Sequence, residues 1–122
     1  MEEIFKESNV ISFHVPLTKE TTHIADYQFF KRFNKPVWVL NISRGKVLKT
    51  KDLIRGLNEG IVCGAALDVL DEESKSFDMS SSNRIVIDLN NRSNVIITPH
   101  VAGWTQESYF KLSNVLADKI LE

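Results

Sequence analysis

Four short, β-rich apolar runs alternate with amphipathic stretches along the chain, at residues 10–15, 37–42, 61–69 and 94–98. That alternation is the mark of βαβ units, because neighbouring parallel strands cannot be joined by a tight turn and need a crossover between them. None of the runs keeps a strict in/out alternation, a pattern that predicts central strands covered by helices on both faces. The expected fold class is therefore α/β, a parallel sheet with flanking helices. A chain of 122 residues suffices for one such domain and is short for two.

The crossovers can be read from their periodicity. Between the first two runs, Ile24, Tyr27, Phe30 and Phe33 make one apolar stripe, with Thr21 or Thr22 as the expected N-cap and with Asn34 and Pro36 ending the helix. The next helix is expected to take Thr50 as cap, to turn Leu53, Ile54 and Leu57 to the sheet, and to stop at Gly60 in a left-handed C-terminal turn. Residues 71–93 form a polar stretch longer than most structureless loops, with a short strand expected at residues 84–89. A last helix, capped by Thr105, places Tyr109, Leu112, Leu116 and Ile120 on one stripe that is expected to be buried.

Composition removes several function classes. The net charge is −1, with no basic stripe, so nucleic acid is not an expected partner. The longest apolar stretch is far below the roughly 20 residues of a spanning helix, and the start of the chain has no signal-peptide character, so no membrane association is expected. The single cysteine, Cys63, allows no disulfide or zinc framework and reads as core filler. A reducing, cytoplasmic setting is expected, with no metal site.

In an open α/β sheet, ligands bind beyond the carboxyl ends of the strands. Those ends hold His14-Val15-Pro16-Leu17-Thr18, Asn41-Ile42-Ser43-Arg44-Gly45, Asp68-Val69-Leu70-Asp71-Glu72-Glu73 and Thr98-Pro99-His100-Val101-Ala102-Gly103. A cation, a carboxylate cluster and an imidazole thus leave three strands at one edge, as a site built from loops on a rigid scaffold requires.

The segments Val10-Ile11-Ser12-Phe13-His14-Val15-Pro16-Leu17-Thr18, Leu40-Asn41-Ile42-Ser43-Arg44-Gly45, Gly64-Ala65-Ala66-Leu67-Asp68-Val69 and Asn94-Val95-Ile96-Ile97-Thr98-Pro99-His100-Val101-Ala102-Gly103 resemble in order the second half of the nucleotide-binding domain of the D-isomer-specific 2-hydroxyacid dehydrogenases. The resemblance spans almost the whole chain. It implies that residues 1–122 are part of a doubly wound, Rossmann-type NAD-binding domain, and it makes Arg44, Glu73 and His100 the catalytic trio. Glu73 is chosen over Glu72 because it lies five residues after Asp68, although the family's usual Pro-rich continuation is replaced here by Asp71-Glu72-Glu73-Ser74. Reducing a 2-keto acid places negative charge on the carbonyl oxygen, so a cation and a proton donor must face it. Arginine, permanently charged and forked, suits the substrate carboxylate and carbonyl, and an imidazole can give and retake the proton. Glu73 would orient that imidazole. The resemblance further implies that Pro16, Ser43 and Asp68 line the dinucleotide, with Asp68 near the nicotinamide amide, and that Gly103 allows its close approach after His100. The implied cofactor is NAD, with NADP not excluded, and the implied partner is a small 2-hydroxy or 2-keto acid.

Taken singly, the same residues have plainer readings. Arg44 is an ordinary loop cation, Glu73 a member of an acidic run, His14 a packing or capping residue, and His23 a surface residue at a helix start. Trp38 reads as core, and Trp104 as a pocket wall or a staple of the last helix. No G-x-G-x-x-G occurs, so the pyrophosphate cradle is missing from the chain, as are the acidic residue beyond it and the substrate domain. A fragment with little or no activity of its own is expected, self-associating as a homo-oligomer through the uncovered edge of the first strand. The alternative function is a nucleotide-sensing or corepressor-type binding module of the same fold.

Overall fold

The structure, a computed structural model, describes residues 2–71 and 84–121. The four apolar runs form four parallel strands, β1 (Val10–Phe13), β2 (Val37–Asn41), β3 (Val62–Leu67) and β4 (Val95–Ile97), side by side in chain order. Around them lie α1 (Glu2–Glu7), α2 (Tyr27–Lys31), a 3-10 turn at Gly45–Val47, α3 (Thr50–Asn58), α4 (Arg84–Asn90) and α5 (Gln106–Leu121). No helix of the described residues is long and apolar enough to cross a membrane.

Register decides which side chains meet. Ile11, Val39, Ala65 and Val95 pair across the sheet, as do Phe13, Asn41, Leu67 and Ile97. With the two-residue period of a strand, both rows face the same side. That side holds the core, where Phe30, Phe33, Leu53, Leu57 and Leu89 pack in one cluster with Val39, Ala65 and Leu67. Phe5 of α1 closes the end of this layer in edge-on contacts with Phe29 and Phe33, at ring separations of 5.3 and 4.9 Å.

The opposite face is bare among the described residues, contrary to the expected double cover. Val10, Trp38 and Ile96 on it are 55%, 48% and 66% exposed, so Trp38 is not a core residue. The cause is topological. Right-handed crossovers that always step to the next strand in one direction put every helix on the same side, and a helix reaches the other side only where the strand order reverses.

Several local expectations are corrected. The cap of α2 is Asp26, whose carboxylate accepts the Phe29 N–H at 2.8 Å. Thr21 and Thr22 instead tie the preceding turn, donating to the Pro16 and Thr18 carbonyls at 2.6 Å each. Lys49 occupies the cap position of α3 with no capping hydrogen bond from its side chain, and Thr50 is the first helical residue. Residues 84–89 lie in a helix rather than a strand, because Ile85, Val86 and Leu89 meet the core at helical spacing, which outweighs the strand propensity of that run. Gly60, at φ 71°, is left-handed as expected, and Thr105 caps α5 by accepting the Ser108 N–H at 3.0 Å. The stripe on α5 is not buried: Tyr109, Leu112, Leu116 and Ile120 are 59–73% exposed.

Trp38 owes its position to Gly64, its partner in the register. A methyl group at residue 64 would collide with the indole ring and with the Asn94 carbonyl. Gly64→Ala is therefore expected to destabilise the chain by about 1–3 kcal/mol, seen as a lower urea midpoint, since neither a ladder carbonyl nor a ring wedged against it yields cheaply.

Candidate active site

Because the strands are parallel and in register at Phe13, Asn41, Leu67 and Ile97, the segments that follow them leave at one edge. Backbone bonds carry the ladder a step further, from Asp68 N–H to the Asn41 carbonyl and from Thr98 N–H to the Leu67 carbonyl, both 2.9 Å. The segments holding Arg44, Asp68 and His100 thus begin as one rigid unit.

Arg44 is placed by Asn41, a fully buried side chain at the end of β2. Its amide oxygen accepts the Ser43 N–H at 3.2 Å and the Ser43 hydroxyl at 3.0 Å, and its amide nitrogen donates to the Arg44 carbonyl at 3.1 Å. The chain is bent outward there, leaving Arg44 exposed with its guanidinium donating to the Ser43 carbonyl at 2.7 Å. The next residue has to be glycine, because a side chain at Gly45 would run into the Leu70 carbonyl. A second clasp comes from His23, which is half-buried rather than a plain surface residue. Its N–H donates to the Lys46 carbonyl at 2.7 Å, and its Nε2 lies 2.9 Å from the Asp71 carboxylate.

His100 is placed by Asp68. This carboxylate is only 3% exposed, and both oxygens accept bonds from the segment after β4: from the Thr98 hydroxyl at 2.5 Å and from the Val101 and Ala102 N–H groups at 2.9 Å each. Burial by itself would push this carboxyl up. The bonds from Thr98, Ala102 and Val101, with His100 close by, outweigh it and hold the group below its ordinary value. Held on both sides, His100 takes a left-handed conformation at φ 56°, its N–H donating to the Thr98 carbonyl at 3.0 Å.

The structure thus sets Arg44, Asp68 and His100 at one edge, and Glu73 lies outside the described residues. Pro16 is exposed at the exit of β1, its carbonyl taken by Thr21. Ser43 is half-buried against Asn41. Gly103 is exposed, and a side chain there would meet nothing within 4 Å. His14, whose Nε2 is 2.7 Å from the Ser12 hydroxyl, is exposed at the same edge. Sequence reasoning missed Asn41, Thr98 and His23 as organisers. For Asn41 the available signal was a polar amide closing an apolar strand. Nothing comparable pointed to His23.

Residues 1–102 match the family described as "D-isomer specific 2-hydroxyacid dehydrogenase, NAD binding domain". The D-lactate dehydrogenase of Staphylococcus epidermidis is 35% identical over 113 residues, covering 88% of this chain and 34% of that protein. The glyoxylate reductase of Thermofilum pendens is 31% identical over 121 residues, covering 99% of this chain and 33% of that protein. Among solved structures, the NAD-complexed D-isomer specific 2-hydroxyacid dehydrogenase of Lactobacillus delbrueckii ssp. bulgaricus superposes with a TM-score of 0.83 at 30% identity, over 98% of this chain and 38% of that one. The chain spans about a third of the length of these relatives.

The Asp68 brace has a measurable sign. A carboxyl whose pKa is lowered by folding adds stability that is complete above its unfolded value, near 3.9, and is lost as pH falls through its folded value. Asp68→Asn, which turns an amide N–H₂ toward N–H donors, is expected to cost about 1.5–3 kcal/mol at neutral pH. It should also flatten the acid limb of the stability curve below about pH 4, as urea midpoints across pH would record.

Proposed function

The chain belongs to the D-isomer-specific 2-hydroxyacid dehydrogenase family, and on that premise we propose that residues 1–122 are the second half of an NAD-binding domain in an enzyme that interconverts a small 2-hydroxy acid and its 2-keto acid. NAD, when bound, supplies or accepts the hydride. The match to an NAD-binding family and the NAD-complexed relative make NAD the cofactor. The site edge suits such a ligand: Pro16 and Gly103 leave it open, and Arg44 brings positive charge to it.

In this reading Arg44 grips the substrate carboxylate and polarises the carbonyl oxygen, where negative charge develops. His100 holds the proton destined for that oxygen during reduction and recovers it during oxidation. Glu73 keeps the orienting role that its motif implies. Ser43 and Pro16 border the dinucleotide. The Asp68 carboxylate acts there through the backbone it fixes, since both of its oxygens already accept bonds. The observation that carries the reading is this brace: a buried carboxylate accepts three hydrogen bonds from the residues that flank His100, at the strand edge that also presents Arg44. The relatives are named as dehydrogenases and a reductase, which does not favour a non-catalytic sensing module. A cytoplasmic, self-associating protein completes the proposal, the first from the lone Cys63 and the second from β1, which stands at the edge of the sheet.

A chimera tests it. The matching third of the Staphylococcus epidermidis D-lactate dehydrogenase is replaced by this chain, and NADH oxidation is followed with pyruvate, glyoxylate and hydroxypyruvate. The chimera is expected to turn over at least one of them, whereas the chain by itself shows weak or no turnover. Arg44→Lys and His100→Asn should each lower kcat/KM by about two orders of magnitude or more. Kinetics unaltered by both substitutions would refute the assigned roles.

A further inference from the structure

Arg44 stands in a turn that is anchored on both sides. On the entry side, Asn41 bonds the polar groups of Ser43 and Arg44. Arg44 itself is extended, at φ −142°, in the broad region open to any residue, so its own torsions do not decide where the guanidinium sits. On the exit side the chain meets two other segments. Residues 23–25 run along residues 46–49: His23 N–H donates to the Lys46 carbonyl at 2.7 Å, Ala25 N–H to the Val47 carbonyl at 3.2 Å, and Lys49 N–H to the Ala25 carbonyl at 3.1 Å. Residues 70–71 meet the same stretch, with the Leu70 carbonyl against Gly45 and the Asp71 N–H donating to the Thr50 hydroxyl at 3.3 Å.

The His23 ring and the Asp71 carboxylate join those two segments directly, 2.9 Å apart across 48 positions of sequence. We propose that His23 and Asp71 are a positioning pair for Arg44. By closing the two segments on each other they fix the exit of its turn and so aim the guanidinium at the substrate carboxylate, the role given to Arg44 above being the premise.

Two features set this contact apart from an ordinary surface ion pair, which contributes little. The Asp71 side chain is only 18% exposed, so water competes weakly for it. His23 is left-handed at φ 54°, a torsion that residues other than glycine rarely take and that persists where the surroundings impose it. The only other such residue among the described ones is His100, whose neighbours Val101 and Ala102 are held by Asp68. His23 bonds Lys46 through its N–H and Asp71 through its ring, so its backbone and side chain bridge the two segments at once. Asp68, and not this pair, holds the segment of His100. Loss of the pair therefore acts on the grip on the keto acid rather than on the proton donor.

His23→Asn tests the pair, because asparagine accepts the left-handed torsion and keeps the N–H but lacks the ring nitrogen that reaches Asp71. In the full chain, amide exchange at Ala25, Val47 and Leu48 is expected to speed up at least about tenfold, with the amides of β2 and β3 unchanged. Asp71→Ala should do the same, whereas Asp71→Asn, which keeps an oxygen to accept from the ring, should restore most of the protection. In the chimera described above, His23→Asn should raise the KM of the keto acid about tenfold and leave the KM of NADH within about twofold. A residue that only stabilises the fold would lower the amount of active enzyme and move neither KM. Exchange that speeds up everywhere, or nowhere, overturns the proposal, as does an unaltered keto-acid KM in a chimera whose kcat/KM responds to Arg44→Lys. Arg44→Lys without effect, or a chimera with no turnover, counts instead against the reading of the enzyme, and the exchange pattern then decides the pair.

Discussion

Buried polar side chains at the ends of the strands hold the functional edge together. A strand that simply stops leaves backbone N–H and C=O groups to be satisfied and gives the following loop no fixed direction. Asn41 and Asp68 solve both problems at once. The first consumes the polar groups of the turn that presents Arg44, and the second those of the segment that presents His100. Each is almost fully out of water, where a satisfied hydrogen bond is strong and an unsatisfied group costly. The site's geometry follows from this polar carpentry at the sheet edge, and the apolar core supplies the platform beneath it.

Tight backbone approach is the second element. Gly45 lets the Arg44 turn press against the Leu70 carbonyl, and His23 reaches over to Asp71 from the β1–α2 connection. Three segments distant in sequence are thereby clasped at the exit of β3, next to residues that the functional reading requires to be still. The aromatic cluster of Phe5, Phe29 and Phe33 lies with α1 and α2, at the end of the helical layer.

Strand identity and direction were legible in the chain because apolar runs and crossovers follow local rules. Gly60, Thr105 and the strand-end position of His100 were legible for the same reason. What escaped depended on contacts between distant segments. Asp26 displaced Thr21 and Thr22 as a cap because both threonines are used by an earlier turn. Residues 84–89 look like a strand to propensity and fold as a helix because the core accepts only one of their faces. Trp38 and the α5 stripe are apolar in a way that always reads as interior, and periodicity cannot say which of two sheet faces a one-directional winding leaves uncovered.

The left-handed backbone of His100 has a consequence for anyone who mutates it. Beyond glycine, that region of conformational space is visited mainly by Asn, Asp and His, and β-branched residues are genuine outliers there. Replacements at residue 100 are therefore filtered by main-chain fit before any proton chemistry is compared. A saturation library at this codon would report two superimposed quantities, and only the residues that tolerate the inverted torsion separate them.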